Sequence, residues 1–428
     1  MTMLLTDDER RMRDGEEGAA VAAAMDLLIR YGDALGAERL VDTRNVAGTM
    51  TQPSPAKAQL VREGGWAKAY AVINLDSDED LDIPRMKVPT CQLQHGFSDD
   101  ADGLTGYSTQ SIELQGDAES YFSDRGVNIL ATCTPYQVGN LPVRGEHVAW
   151  MESSAVVYAN SVLGARTNCE GGASTGAAGL TGKIPYWGLH DPANRFATHV
   201  VRADVRVDSF QDWGMFGYFV GEQVLEARPA VIGDLGLPDL TDLKHFGAAT
   251  ATSGGVELYH VPGLTPEAPT LEAAFDGGPI PEAIVYGEAE RRWVYETLNA
   301  QGESTDVDFI LLGCPHASLD QLAQIAYRLE GRRLHDSVQL WVMTPRALAT
   351  MAARNGYTRT IMRAGGHVLT DSCPAMSRAA PPDTKVFATD SAKQAHYLPA
   401  ILGIEAWFGT LDECLDAAVT GRWTGGLA

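Results

Sequence analysis

Basic residues are scarce in this chain. Its 33 lysines and arginines stand against 56 aspartates and glutamates, a formal net charge of −23. Nucleic acids and anionic membranes are bound by clustered Lys and Arg, so neither is an expected partner. Long apolar runs are also missing. No stretch approaches the ~18–20 apolar residues of a spanning helix, and the opening "MTMLLTDDERRMRDGEEG" soon turns acidic. A membrane span and a signal peptide are therefore not expected, and the expected compartment is the cytoplasm. Cysteines number six in 428 residues. That is too few for a disulfide scaffold and leaves free, metal-bound or catalytic thiols. A Walker-type phosphate loop, a G-x-G-x-x-G behind a strand and an H-E-x-x-H are all absent, which argues against a nucleotide site or a standard zinc-protease site. Internal repeats and low-complexity tracts are missing as well.

What is present suits a folded globular protein, with 45% apolar and 21% charged residues. The length exceeds one ordinary core and implies two or three domains. Thr6 and Glu9 form a capping box before a helix that carries Val21, Met25 and Leu28 on one face and ends near Gly36. "RLVDT", "AKAYAVINL" (67–75) and "VNILATC" (127–133) read as strands. A stretch rich in Gly, Ser, Thr and Asn covers 139–190, and a helix is predicted from about 213. Beyond it, apolar runs such as "DFILLGC", "SVQLWVMT" and "TKVFATD" alternate with helical ones such as "LDQLAQIAYRL" and "TLDECLDAAVTG". Such alternation predicts a multi-domain α/β fold with mostly parallel sheets flanked by helices. The expected division is an N-terminal α/β region at 1–212, a middle α/β domain at 213–300 and a C-terminal α/β domain at 301–428.

Three cysteines share one local pattern. In "NILATCTPY", "FILLGCPH" and "HVLTDSCPA", an apolar run leads through small or polar residues to Cys133, Cys314 or Cys373, with a proline one or two positions later. Ligands of open α/β sheets collect at the carboxyl ends of strands, and the proline ends the strand by withholding a ladder N–H. After Cys314, Ser318 and Gln321 form a further capping box, and a helix N-terminus favours thiolate over thiol. Three such strand ends can converge on one soft metal centre with a coordination position left open. Taken singly, each cysteine is equally a small apolar residue at the end of a buried strand. Cys414 fits a helical core face, and Cys91 has no such context.

His316, two residues beyond Cys314, is a candidate ligand, proton carrier or capped surface residue. The other dense stretch is "GEHVAWMESSAVVYANSVLGARTN" (145–168), which gathers Ser153, Ser154, Asn160, Ser161, Arg166, Thr167 and Asn168. Arg166 can hold a carboxylate bidentately. Gly164, Gly171 and Gly172 around it suggest a backbone that approaches something closely. A helix with a polar face and a capped turn is the simpler alternative.

"CTPYQVGNLPVRGEHVAWMESSAVVYANSVLGARTN", with "LGCPHAS" and "TDSCP" downstream, closely resembles the catalytic large subunit of the aconitase X family, as does the N-terminus. The resemblance implies an aconitase-superfamily hydro-lyase built of α/β layers around an iron–sulfur cluster, either 2Fe–2S or a 3Fe/4Fe form. Cys133, Cys314 and Cys373 match the family's cluster ligands. His316, Ser153 and Ser154 become the candidate catalytic residues, and Asn160, Arg166, Thr167 and Asn168 the candidate substrate-binding ones. Many archaeal members carry arginine where Cys169 stands and differ at "GKIPYWGLH" (182–190), which here resembles the bacterial branch.

The implied reaction removes water from a 3-hydroxy acid. The bacterial branch converts cis-3-hydroxy-L-proline to Δ1-pyrroline-2-carboxylate, and the archaeal branch dehydrates phosphomevalonate. A cluster- or zinc-binding protein without catalysis is the alternative from another class. In the superfamily the base is a serine on a swivelling domain, and no stretch here resembles that domain. The resemblance therefore implies a small swivel-domain subunit as partner.

Overall fold

The computed structural model describes residues 3–50, 54–96, 98, 104, 107–300 and 302–427. Among them the strands form three parallel sheets, each flanked by helices, and one antiparallel pair, Leu40–Asp42 with Lys183–Pro185. The α/β alternation read from the sequence is thus the architecture of the chain.

The first sheet orders Val127–Ile129, Thr90–Gln92, Val46–Gly48 and Ala149–Trp150. Its two inner strands are buried throughout, as in parallel sheets covered on both faces. Val21, Met25 and Leu28 are buried in the core over this sheet. The second sheet orders Pro229–Gly233, His199–Ala203 and Ile284–Tyr286. Helices Phe210–Val224 and Leu240–Gly254 pack beside it so closely that a Cβ on Gly254 would lie 2.0 Å from the carbonyl oxygen of Gly221. The third sheet orders His367–Thr370, Gln339–Thr344, Phe309–Leu312, Val386–Thr389 and Glu405–Phe408. Phe309–Leu312 is central and wholly buried, which explains its unbroken apolar run.

All three orders contain a reversal, and those of the third and first sheets bear on the site. In the third sheet the chain steps outward one way from Phe309–Leu312 and returns to lay Val386–Thr389 on its other side. In the first sheet Val46–Gly48 plays the same part, with Ala149–Trp150 returning beside it. Crevices at such reversals are where open α/β sheets bind ligands.

Three local expectations are corrected. Residues 67–75 are helical, the second half of Pro55–Leu75, which kinks at Gly64 and Gly65. Ser54 caps that helix, Pro55 opens it, and Trp66, Ala69, Tyr70 and Asn74 are buried at helical spacing. The alanines favour helix, and the apparent alternation of "AKAYAV" was misleading. The N-terminal helix is two, Asp7–Arg13 and Ala19–Leu35, parted where Gly15 and Gly18 take positive φ. The strand in "VNILATC" stops at Ile129.

Candidate active site where two sheets meet

Each of the three strand-end cysteines follows a left-handed residue. Ala131 (φ 50) precedes Cys133 by two, Gly313 (φ 87) precedes Cys314 by one, and Asp371 (φ 67) precedes Cys373 by two. These turns end the strands and direct the thiols inward. At Gly313 the reason is steric, because a Cβ would lie 2.2 Å from the carbonyl oxygen of Met343. All three thiols are free, with Cys133 buried and Cys314 and Cys373 half-buried. Burial pushes each thiol upward, Cys314 to about 12; Cys314 and Cys373 raise Cys133 further, and Cys373 raises Cys314.

Donors surround the sulfurs. The His316 N–H donates to Cys133 Sγ at 3.3 Å. The Met376 and Ala375 amides favour the Cys373 thiolate, and Ser391 favours that of Cys314. Hydrogen bonds of this kind tune cluster-bound thiolates. Among the described residues no group of three or more His, Cys, Asp or Glu closes on a single metal ion. Three thiols within electrostatic reach of one another, with donors beside them and tied in no disulfide, have the soft-donor chemistry that an iron–sulfur group would take.

His316 binds the cysteine-bearing segments together. Its Nε2 meets the Ser372 carbonyl at 2.8 Å and its Nδ1 meets Thr132 Oγ1 at 2.8 Å. A carbonyl only accepts, so Nε2 carries the proton and Nδ1 accepts from the threonine. Burial lowers the imidazole to about 4, which keeps it neutral. The His316 carbonyl in turn receives Lys244 Nζ and Gln137 Nε2, both at 2.9 Å.

Beside the thiols lies an ion pair that the sequence did not signal. Glu152 follows the strand Ala149–Trp150, and Lys393 lies in the helix after Val386–Thr389. Lys393 Nζ and Glu152 Oε1 are 2.8 Å apart. Gln94 Nε2 donates to Glu152 Oε2 at 2.7 Å, and Ser154 Oγ to Oε1 at 3.1 Å. Burial alone would raise Glu152 and lower Lys393. Their mutual attraction reverses both, with the thiols adding to the lysine's shift. Both groups act electrostatically on Cys314 and Cys373, and Glu152 also on Cys133. The two sheet reversals thus meet over the cysteines.

The polar stretch divides. Ser154 joins the ion pair, while Ser153 opens the helix Ser153–Tyr158, which continues into a π-helical turn over Ala159–Leu163. Asn160, Thr167 and Asn168 are buried, and their side chains bind mainly main chain. Asn160 Nδ2 donates to the carbonyls of Thr167 (2.8 Å) and Glu257 (3.0 Å). Thr167 Oγ1 donates to the Asn168 carbonyl at 2.8 Å, and Asn168 Oδ1 accepts from Leu189 N at 2.8 Å. Arg166 faces His147, His190 and Arg195, and its Nε is buried without a hydrogen-bond partner. Cys169 is exposed, its amide held by Glu257 Oε2 at 3.1 Å, within electrostatic reach of Glu152 and Lys393.

Family models cover most of the chain: Aconitase X first domain at residues 2–193, second domain at 197–296 and third domain at 307–420. The chain is 39% identical over 406 residues to the phosphomevalonate dehydratase large subunit of Methanothermobacter thermautotrophicus, spanning 93% of this chain and 94% of that one. It is 35% identical over 434 residues to the cis-3-hydroxy-L-proline dehydratase of Hypocrea jecorina, spanning 98% of this chain and 69% of that protein. The crystal structure of Thermococcus kodakaraensis aconitase X in its holo form superposes with a TM-score of 0.82 at 33% identity, over 97% of this chain and 100% of that one.

Proposed function

This chain belongs to the aconitase X family, and on that premise we propose that it is the large subunit of an iron–sulfur dehydratase acting on cis-3-hydroxy-L-proline. Dehydratase activity is common to the curated relatives. The observation that carries the reading is the buried Glu152–Lys393 pair within electrostatic reach of the three strand-end thiols.

In this reading Cys133, Cys314 and Cys373 hold the cluster, which when bound supplies a Lewis-acidic iron for the departing hydroxyl. The chain's own residues orient the substrate. Lys393 has N–H groups beyond the one given to Glu152 and offers them to the substrate carboxylate, with Ser154 alongside. Arg166 is the alternative anchor, although it faces the histidines rather than the thiols. His316 holds the cysteine segments in register and keeps its proton on Nε2. Loss of water breaks the C3–O bond and removes the α-proton. The enamine so formed tautomerises to Δ1-pyrroline-2-carboxylate.

The proposed base is a serine on a small subunit. Relatives of matching length are named large subunits, whereas the Hypocrea jecorina protein extends beyond the 69% matched here. The charge around the site favours an imino acid over a phosphorylated substrate. Lys393 is paired with Glu152, and the ammonium of Lys244 is spent on carbonyls and Gln321. Glu170 and Glu257 add negative potential near Cys169. Phosphomevalonate is the second reading, favoured by the 39% identity to a phosphomevalonate dehydratase large subunit.

The test is anaerobic reconstitution with iron, sulfide and the candidate small subunit, followed by chemical trapping of the cyclic imine. Imine from cis-3-hydroxy-L-proline, formed only when both subunits are present, is the expected result. Turnover of phosphomevalonate with none of hydroxyproline would overturn the substrate assignment. Full activity of the large chain alone would overturn the partner assignment.

A further inference from the structure

We propose that Glu257, backed by Glu170, forms a subsite that reads the secondary ammonium of the substrate and so selects imino acids over substrates without nitrogen. The inference rests on the imino-acid reading above and deepens it.

The two carboxylates lie on different units of the fold and meet beside Cys169. Glu170 follows the stretch in which Arg166 and Cys169 bridge to His147 and Trp150 at the edge of the first sheet, and its amide is fixed by the Trp150 carbonyl at 2.9 Å. Glu257 comes from the segment after the helix Leu240–Gly254, and its Oε2 accepts the Cys169 amide at 3.1 Å. Glu170 is 3% exposed, and both of its carboxylate oxygens are buried without a hydrogen bond of good geometry, although the Tyr31 and Ser174 hydroxyls lie alongside. A buried carboxylate with two neutral hydroxyls alongside and no hydrogen bond of good geometry is unusual in a settled core.

No cation offsets these groups. Among the described residues no lysine or arginine forms an ion pair with either carboxylate; Glu257 acts on Glu170, and Glu226 acts on Glu257. Burial raises both to about 7, and their proximity contributes to the shift of Glu170. The neighbouring Glu152–Lys393 pair is already neutral, so it supplies no compensation. The Cys169 thiol is in electrostatic range of all four groups, Glu152, Lys393, Glu257 and Glu170, which places both pairs about one residue. In the proposed pose a small zwitterion is set against Lys393 by its carboxylate and turns its ring nitrogen toward Glu257. A ring ammonium there would draw Glu257 into its ionised form and gain a charge-assisted hydrogen bond. A phosphate would meet repulsion.

The experiment compares two isosteric ligands, cis-3-hydroxy-L-proline and cis-3-hydroxytetrahydrofuran-2-carboxylate, whose ring oxygen replaces the nitrogen. Binding to the cluster-loaded complex with its small subunit is measured by calorimetry at low temperature, for wild type, Glu257→Gln and Glu170→Gln. Melting curves establish that both variants fold. Wild type is expected to bind the amine at least tenfold tighter than the ether. Glu257→Gln should reduce that ratio to below threefold by weakening the amine alone, and Glu170→Gln should reduce it partway. Equal affinities in wild type, or an unchanged ratio in both variants, would overturn the subsite while leaving hydroxyproline as substrate. Binding of phosphomevalonate with neither ring acid bound would overturn the substrate reading and the subsite together.

Discussion

Glu152 and Lys393 lie 241 residues apart in sequence and 2.8 Å apart in space, one at the reversal of the first sheet and one at the reversal of the third. Their side chains are only 13% and 17% exposed, so each depends on the other for its charge. The pair fastens two sheets together beside the thiols, which makes it a structural clamp and a charged wall of the site at once.

Removing one partner leaves a buried charge uncompensated, at a cost of about 3–5 kcal/mol. Lys393→Met and Glu152→Gln should each lower the urea midpoint strongly, with the double variant recovering part of the loss. Sums of the single effects in the double variant would show that the pair is not coupled.

For turnover, Lys393→Met should reduce kcat/KM by roughly a hundredfold, about 2.7 kcal/mol. Arg166→Lys should reduce it less than Lys393→Met does, because Arg166 faces His147 and His190. The opposite ranking in steady-state assays would make Arg166 the carboxylate anchor.

Gly313→Ala forces a side chain onto a backbone at φ 87 and against the carbonyl oxygen of Met343, 2.2 Å away. The variant should lose about 2–4 kcal/mol of stability. It should also load less iron, since the turn places Cys314. Unchanged melting and iron content would show that the turn relaxes freely.

The pH dependence of stability has a definite sign at Glu170. Its folded value is raised by burial from 4.5 to about 7. Below the unfolded value both states are protonated and folding carries no penalty. As pH rises towards 7 the unfolded chain ionises first, and stability falls. Glu170→Gln should therefore leave low-pH stability unchanged and add roughly 3 kcal/mol at alkaline pH. Equal gains at both pH values in denaturant titrations would contradict this.

The cysteine turns were legible because strand, small residue, cysteine and proline lie within one short window. The left-handed positions were legible only at Gly313, since Ala131 and Asp371 belong to residue types that take positive φ infrequently. The pairing of Glu152 with Lys393, 241 residues apart, left no local trace. The strand-end logic that found the cysteines, applied to "VAWMESS" and "VFATDSAK", would have drawn attention to Glu152 and Lys393. For Asn160, Thr167 and Asn168 the sequence does not separate two roles, because a hydrogen bond to main chain and one to substrate demand the same side chains. The helix at 67–75 was misread because short alanine-rich runs satisfy both periodicities, while its cap lay at Ser54, well upstream.

The central claim is that three strand-end thiols jointly hold an iron–sulfur cluster. Its most direct test is the absorption spectrum and the iron and sulfide content of anaerobically reconstituted protein, wild type against Cys133→Ser, Cys314→Ser and Cys373→Ser. The account predicts a brown wild-type protein with charge-transfer bands, lost or strongly reduced in each variant, and an unaltered spectrum in Cys414→Ser. A colourless wild type, or full cluster content in all three serine variants, would contradict it.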